Sequence, residues 1–242
     1  MTLGYVGAGN MARALAIGFG EPALFSDAGS GRAAALAELV GGEAVATNSE
    51  LAKRADIIVL AHKPAQLATI APELSGAEVV LSLLGGVAVE QVASAIPGAS
   101  VTRAMPNTAV AVRKGVTCVC GAEELDALLE GVGRVVRLPE RLIDAATAVS
   151  GVAPAYVALI AEAWVDAAVG QGIPAAQAAE LVSASLTGAA ALLEERGMDT
   201  LGVRREVTSP GGMTARGLRV LERAGLRAAF SDAAAAVVGS AK

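Results

Sequence analysis

Apolar positions along this chain follow two rhythms, and the change between them falls near residue 139. Before it, short apolar runs at residues 2–6, 23–26, 44–46, 56–61, 78–83, 100–104, 115–120 and 135–138 read as strands. Between them, residues 10–20, 32–39, 49–53 and 89–95 carry apolar side chains at spacings of three and four, the period of a helix with one buried face. The run Asp56-Ile57-Ile58-Val59-Leu60-Ala61 is apolar without alternation, as expected of a strand covered on both faces of a parallel sheet. Strand–helix alternation of this kind predicts a doubly wound α/β sheet. After residue 139 no run reads as a strand, and breaks fall at Gly151, residues 170–174, Gly197 and residues 210–212. The chain therefore divides into an α/β domain, 1–139, and an all-helical domain, 140–242. Long Ala-rich helices that are apolar on more than one face point to a homodimer through the helical domain.

Composition narrows the picture. Aromatic residues make up 2% of a chain that is 54% hydrophobic, so the core is aliphatic. A net charge of -5 argues against a nucleic-acid partner, which needs a basic face. The N-terminus has no basic segment of the kind that opens a signal peptide. The longest uncharged stretch, 145–161, contains Gly151 and Pro154 and is too short and broken to span a bilayer. A cytoplasmic protein with no membrane partner is expected. Cys118 and Cys120 sit two apart on one strand face and read as reduced, buried thiols, and no His/Cys cluster suggests a metal.

Two glycine loops carry the candidate chemistry. Gly7-Ala8-Gly9-Asn10-Met11-Ala12 follows a strand and opens a helix, the setting of a Rossmann-type dinucleotide fingerprint. Gly7 permits the tight turn, Gly9 lets a diphosphate approach, and small Ala12 lets helix and strand pack closely. At the end of the second strand, Asp27 stands where an acid binds the ribose 2′-hydroxyl of NAD, whereas Ser26, Ser30 and Arg32 suit the 2′-phosphate of NADP; both choices stay open. The second loop, Val207-Thr208-Ser209-Pro210-Gly211-Gly212-Met213-Thr214, precedes another helical segment, whose free N–H groups would face a small anion. Two anion loops in one chain suggest a cofactor and an acidic substrate.

With these residues in view, the chain resembles the pyrroline-5-carboxylate reductases from end to end. The resemblance rests on the N-terminal fingerprint, Ala61-His62-Lys63-Pro64, Arg103-Ala104-Met105-Pro106-Asn107-Thr108, Ser150 to Tyr156, and the loop ending at Thr214. It implies NAD(P)H-dependent reduction of 1-pyrroline-5-carboxylate to L-proline and inclines the cofactor choice to NADPH, with no metal. It places Gly7, Ala8, Gly9, Asn10, Met11 and Ala12 on the diphosphate and Asn48, with Ser26 and Asp27, on the adenosine side. Ala61, His62, Lys63, Pro64, Leu83, Leu84 and Gly85 would line the cofactor cleft, with Met105 and Asn107 near the nicotinamide. The substrate would take Ser209, Gly211, Gly212, Met213 and Thr214, with Glu140 close by and the Thr214 hydroxyl facing the imine nitrogen. Family members pair through the helical domain, each active site borrowing residues from both subunits, and rings of dimers occur. Val152, Ala153 and Met213 depart from the usual family residues, and His62 replaces a common valine.

The residues suit imine reduction in their own right. A cyclic imine can bind already protonated, so the protein supplies position and one hydroxyl that both donates and accepts. For single residues a plainer reading stands beside the functional one: His62 packed at a strand end, Glu140 as a helix-terminal charge, Thr214 as a helix cap. Three other readings remain: a related cyclic imine as substrate, a β-hydroxyacid dehydrogenase, and a non-catalytic dinucleotide sensor. Against the dehydrogenase, no lysine lies between Glu140 and Met213 to move an alcohol proton.

Overall fold

The computed structural model describes residues 1–239. It contains two compact units, Met1–Pro154 and a second that begins at Ala155. In the first, β1 (Leu3–Val6), α1 (Asn10–Phe19), β2 (Leu24–Ser26), α2 (Arg32–Val40), β3 (Glu43–Ala44), α3 (Asn48–Arg54) and β4 (Ile57–Leu60) follow one another. Then come α4 (Leu67–Ile70), β5 (Val79–Ser82), α5 (Val89–Ala95), β6 (Ser100–Pro106), β7 (Gly115–Gly121), α6 (Asp126–Glu130), β8 (Gly133–Arg137) and α7 (Ile143–Ser150). The strands form one sheet in the order β3-β2-β1-β4-β5-β6-β7-β8.

β4 shows why these residues make a central strand. Its four side chains alternate between faces and are all buried: Ile57 and Val59 enter one hydrophobic cluster, Ile58 and Leu60 the other. Each burial is worth about 2 kcal/mol. The first cluster holds Leu15 of α1 and Leu36 of α2; the second holds Leu51 of α3 and Val92 of α5. From β1 the chain steps outward through β2 and β3, then returns to β4 on the other side and continues to β5 and β6. That reversal opens a crevice beyond the C-terminal ends of β1 and β4, where ligands of such sheets bind.

The sheet is mixed rather than wholly parallel. β7 runs antiparallel to β6, with Met105 opposite Cys118, while β8 is parallel to β7. Residues 107–114 are too few for the crossover a parallel pair requires. A 3-10 turn at Thr108–Val112 and Arg113, at φ 57°, reverse the chain instead. The last strand ends at Arg137, yet α7 still packs on the sheet through Ile143, Met105, Cys118 and Cys120. Both thiols are free and buried; burial, helped by the Glu140 charge, pushes that of Cys120 above its ordinary pKa.

The second unit is built from α8 (Ala153–Gly170), α9 (Ala175–Glu195), α10 (Thr200–Glu206), α11 (Met213–Arg223) and α12 (Leu226–Gly239). Its described residues bury Ala178 and Val182 and leave much larger apolar side chains open. Leu159 is 64% exposed, Trp164 48%, Leu181 55% and Val220 65%. By length and composition alone, Glu140–Gly170 and Ala175–Glu195 are apolar enough to cross a membrane, but the first is interrupted at Gly151 and Val152 between α7 and α8.

Candidate active site

The β1–α1 turn sets the floor of a cleft of about 610 Å³ at the reversal point of the sheet. Gly7 sits at φ 101°, and a Cβ there would lie 2.8 Å from the Ala61 carbonyl and the His62 nitrogen. A Cβ on Gly9 would meet nothing within 4 Å, so the backbone at the helix start is open to a bulky group. Gly9 is the N-cap of α1, and no acidic residue occupies the first turn. The N–H groups there and the positive end of the helix suit a diphosphate. Ala12 is fully buried, Met11 packs half-buried against the core, and Asn10 is exposed. The site fits a dinucleotide.

At the far end of the cleft, β2 delivers Ser26 and Asp27. The buried Ser26 hydroxyl donates to Asn48 Oδ1 at 2.6 Å, and Asn48 Nδ2 donates to Glu73 Oε2 at 2.9 Å. Asp27 turns inward: its carboxylate accepts from the Gly29 amide at 2.8 Å, the Ser30 hydroxyl at 2.7 Å and the Ala33 amide at 3.0 Å. Burial opposes its charge, but these hydrogen bonds prevail and hold its pKa below the ordinary value. Ser30 and Arg32 stand exposed at the rim.

The near wall is the loop after β4. His62 Nδ1 lies 2.9 Å from the Lys63 carbonyl, which makes it the protonated nitrogen; Nε2 is buried without a partner among the described residues. Burial lowers the pKa of the ring, outweighing that contact. The Lys63 amide donates to Gln66 Oε1 at 3.1 Å, tying down a 3-10 turn that begins at Pro64. Ala61, His62, Lys63 and Pro64 all line the cleft.

Other residues singled out in the sequence hold different places. Leu84 is a core side chain, 1% exposed, between half-buried Leu83 and exposed Gly85. Met105 packs beneath α7. Asn107 is buried and bridges: Nδ2 donates to the Ser150 carbonyl at 3.0 Å, and Oδ1 accepts from the Val116 amide at 3.2 Å. Glu140 Oε1 accepts from the Val89 amide at 2.7 Å, at the start of α5, and faces Arg103 at 3.4 Å.

In the second unit the glycine loop leads into α11. Gly211 adopts φ 71° and Gly212 is the N-cap. Thr214 is the second residue of the helix, so it does not occupy the capping position, and no acidic side chain lies in the first turn. Thr214 is exposed in the first turn of the helix, and Met213 is 82% exposed. Among the described residues no side chain caps this helix. The start of α11 thus has the uncapped, acid-free first turn of the kind that suits a small anion.

Comparison with known proteins gives this geometry a lineage. Residues 140–242 match the family model for pyrroline-5-carboxylate reductase dimerisation, and residues 2–86 match one described as NADP oxidoreductase coenzyme F420-dependent. The pyrroline-5-carboxylate reductase of Thermus thermophilus is 36% identical over 250 residues, 96% of this chain and 94% of its own. That of Corynebacterium melassecola is 39% identical over 207 residues, covering 78% and 76%. The chain belongs to the pyrroline-5-carboxylate reductase family. Solved family structures follow it throughout. The Streptococcus pyogenes reductase superposes with a TM-score of 0.89 at 28% identity, covering 100% of this chain and 98% of that one. The Plasmodium falciparum reductase, solved with NADP bound, has a TM-score of 0.87 at 25% identity and covers 100% and 97%.

For a pyrroline-5-carboxylate reductase family member, the cleft also contains groups that the sequence reading did not single out. Glu73, Thr69 and Ile70 reach it from the turns around α4, a segment with no clear periodicity. Arg103 lies outside the cleft lining as a buried cation, 3% exposed, paired with Glu140 and with Asp144 at 2.8 Å. A charged residue inside the apolar β6 run was the available signal.

Proposed function

We propose that the protein reduces 1-pyrroline-5-carboxylate to L-proline with a reduced nicotinamide dinucleotide. The observation that carries the proposal is the start of α11: open backbone at Gly211, a first turn that no side chain caps, and an exposed Thr214. The loop from Gly211 to Thr214 holds the substrate carboxylate on the amides of Gly211, Met213 and Thr214, while the Gly212 amide donates to the Ser209 carbonyl at 3.0 Å and shapes the loop. Thr214 meets the ring nitrogen, donating to a neutral imine or accepting from a protonated one. Gly7 to Ala12 hold the diphosphate, and the walls from Ala61 to Pro64 and Leu83 to Gly85 shelter the nicotinamide side near Met105 and Asn107. When bound, the reduced nicotinamide supplies the hydride that the imine carbon receives. A secondary amine results, and the residues contribute placement rather than a strong acid or base.

NADPH is the preferred form in this reading. Asp27 is engaged with its own turn, which leaves Arg32, exposed beside Ser30 on the same loop, as the cation placed for a 2′-phosphate. Exposed apolar helices and the match to the dimerisation model support a homodimer through residues 140–242, with a ring of dimers as the larger assembly. Such pairing accounts for the apolar helices without a bilayer, and a cytoplasmic location without metal or nucleic acid goes with it.

Turnover of the purified protein, followed by loss of NADPH or NADH absorbance with pyrroline-5-carboxylate, tests the proposal. Thr214→Ala is expected to lower the rate about 100-fold, the scale of a positioned proton-handling group. Tight cofactor binding without oxidation would overturn the reaction. Arg32→Ala is expected to weaken NADPH about tenfold and leave NADH unchanged, the scale of a charge-assisted hydrogen bond.

A further inference from the structure

We infer that Glu140 is a positioning residue for the nucleotide cleft: with Arg103 it holds the Gly85–Gly86 turn through the first amide of α5, rather than touching substrate. The argument begins with that turn. Gly85 and Gly86 follow β5, Gly86 has φ 71°, and a Cβ on either would meet nothing within 4 Å. Leu83 N–H donates to the Leu60 carbonyl at 3.0 Å, so the turn starts beside the wall formed by Ala61 and His62. Register supports this placement. Ser82, the last residue of β5, pairs with Leu60 on one side and Arg103 on the other. The turn therefore sits at the carboxyl rim of the sheet, one strand beyond the cleft wall formed by Ala61 to Pro64.

An open pair of glycines gains order from its anchors. On the α5 side the N-cap is Ala88, whose side chain has no acceptor. Gln91 Oε1 accepts from the Ala88 amide at 2.8 Å, leaving the Val89 amide, one of the orphan donors of a helix start, for another partner. Glu140 Oε1 takes it at 2.7 Å. The carboxylate is itself held by Arg103, whose guanidinium reaches Asp144 as well. A fixed charge as buried as Arg103 is costly unless paired; Asp144, at 2.8 Å, supplies the closer pairing and Glu140, at 3.4 Å, the second. Glu140 thus links β6, the start of α5 and the segment leading into α7. All these groups belong to the first unit.

A loosened turn would populate its binding-competent form less often, and apparent nucleotide affinity falls by the same fraction. The inference rests on the proposed reductase reading for its kinetic arm; nucleotide affinity is read separately. NADPH binding would be measured by calorimetry, alongside kcat and KM at saturating NADPH. Glu140→Ala is expected to raise the NADPH Kd roughly tenfold with KM for pyrroline-5-carboxylate unchanged. Glu140→Gln, which keeps an acceptor for Val89, is expected to restore affinity to within about threefold. If the alanine variant fails to fold, Glu140→Asp, too short to reach Val89, is expected to show the same loss. A raised KM with unchanged Kd would make Glu140 a substrate contact and overturn the inference. A lowered Tm with both constants unchanged would overturn it too, leaving a structural brace. Failure of the parent protein to turn over pyrroline-5-carboxylate would refute the proposed reaction while the calorimetric comparison still decided the role of Glu140.

Discussion

Tyr5 carries a hydroxyl that finds no partner among the described residues. Its ring is fully buried and stacks on Phe25 at 5.1 Å, and burial pushes the phenol's pKa well above its ordinary value. Removing an unpaired buried hydroxyl removes its desolvation cost, so Tyr5→Phe is expected to raise stability by about 1 kcal/mol in urea denaturation. His62 makes a pH-dependent contribution. Its folded pKa lies below the unfolded value near 6.5, so the unfolded chain takes up the proton first on acidification. Stability is therefore unaffected above about pH 6.5 and falls as the pH drops from there towards the folded pKa. His62→Gln is expected to flatten that part of a stability–pH curve, and an unchanged slope would refute it. Gly7 and Gly9 were legible in the sequence because their requirement is local: a turn with φ near 101° and open backbone at a helix start. The inward turn of Asp27 and the bridging by Asn107 were not, since each depends on which nearby amides the folded chain leaves unpaired.

At the scale of elements, buried strands and amphipathic helices could be read because their periodicity reflects burial. The strand at residues 56–61 appears as β4, and the helix at 89–95 as α5. The direction of β7 depends instead on connection length. Residues 107–114 held that information, but alternation of strands and helices alone suggested a parallel sheet. The short α4 and α6 were missed because one turn or so of helix leaves little periodic signal. Arg113 fastens the reversal between β6 and β7. Its Nε donates to the Gly18 carbonyl at 2.8 Å and Nη2 to the Phe19 carbonyl at 3.3 Å, at the end of α1. Arg113→Ala is expected to cost about 1 kcal/mol of stability, read as a shift in the urea midpoint with unchanged slope.

At the scale of the molecule, the second unit has little interior of its own. Phe230 meets Tyr156 edge-on at 6.3 Å yet remains 46% exposed, and Leu159 and Val220 are more open still. Contiguous apolar surface of this kind marks an interface. Thermal unfolding is expected to shift to higher temperature as chain concentration rises, as for any fold stabilised by association. Emission from Trp164, the chain's one tryptophan, is expected to move to the red on dilution through the dissociation range. A melting temperature independent of concentration would refute the dimer. The sparse burial around Ala178 and Val182 also has a kinetic consequence. In the proposed homodimer, a helical half with so little interior would complete its folding only on meeting a second chain. Recovery from denaturant is then expected in two phases: nucleotide binding returns at a rate independent of concentration, and activity returns by a second-order step whose half-time lengthens as the chains are diluted.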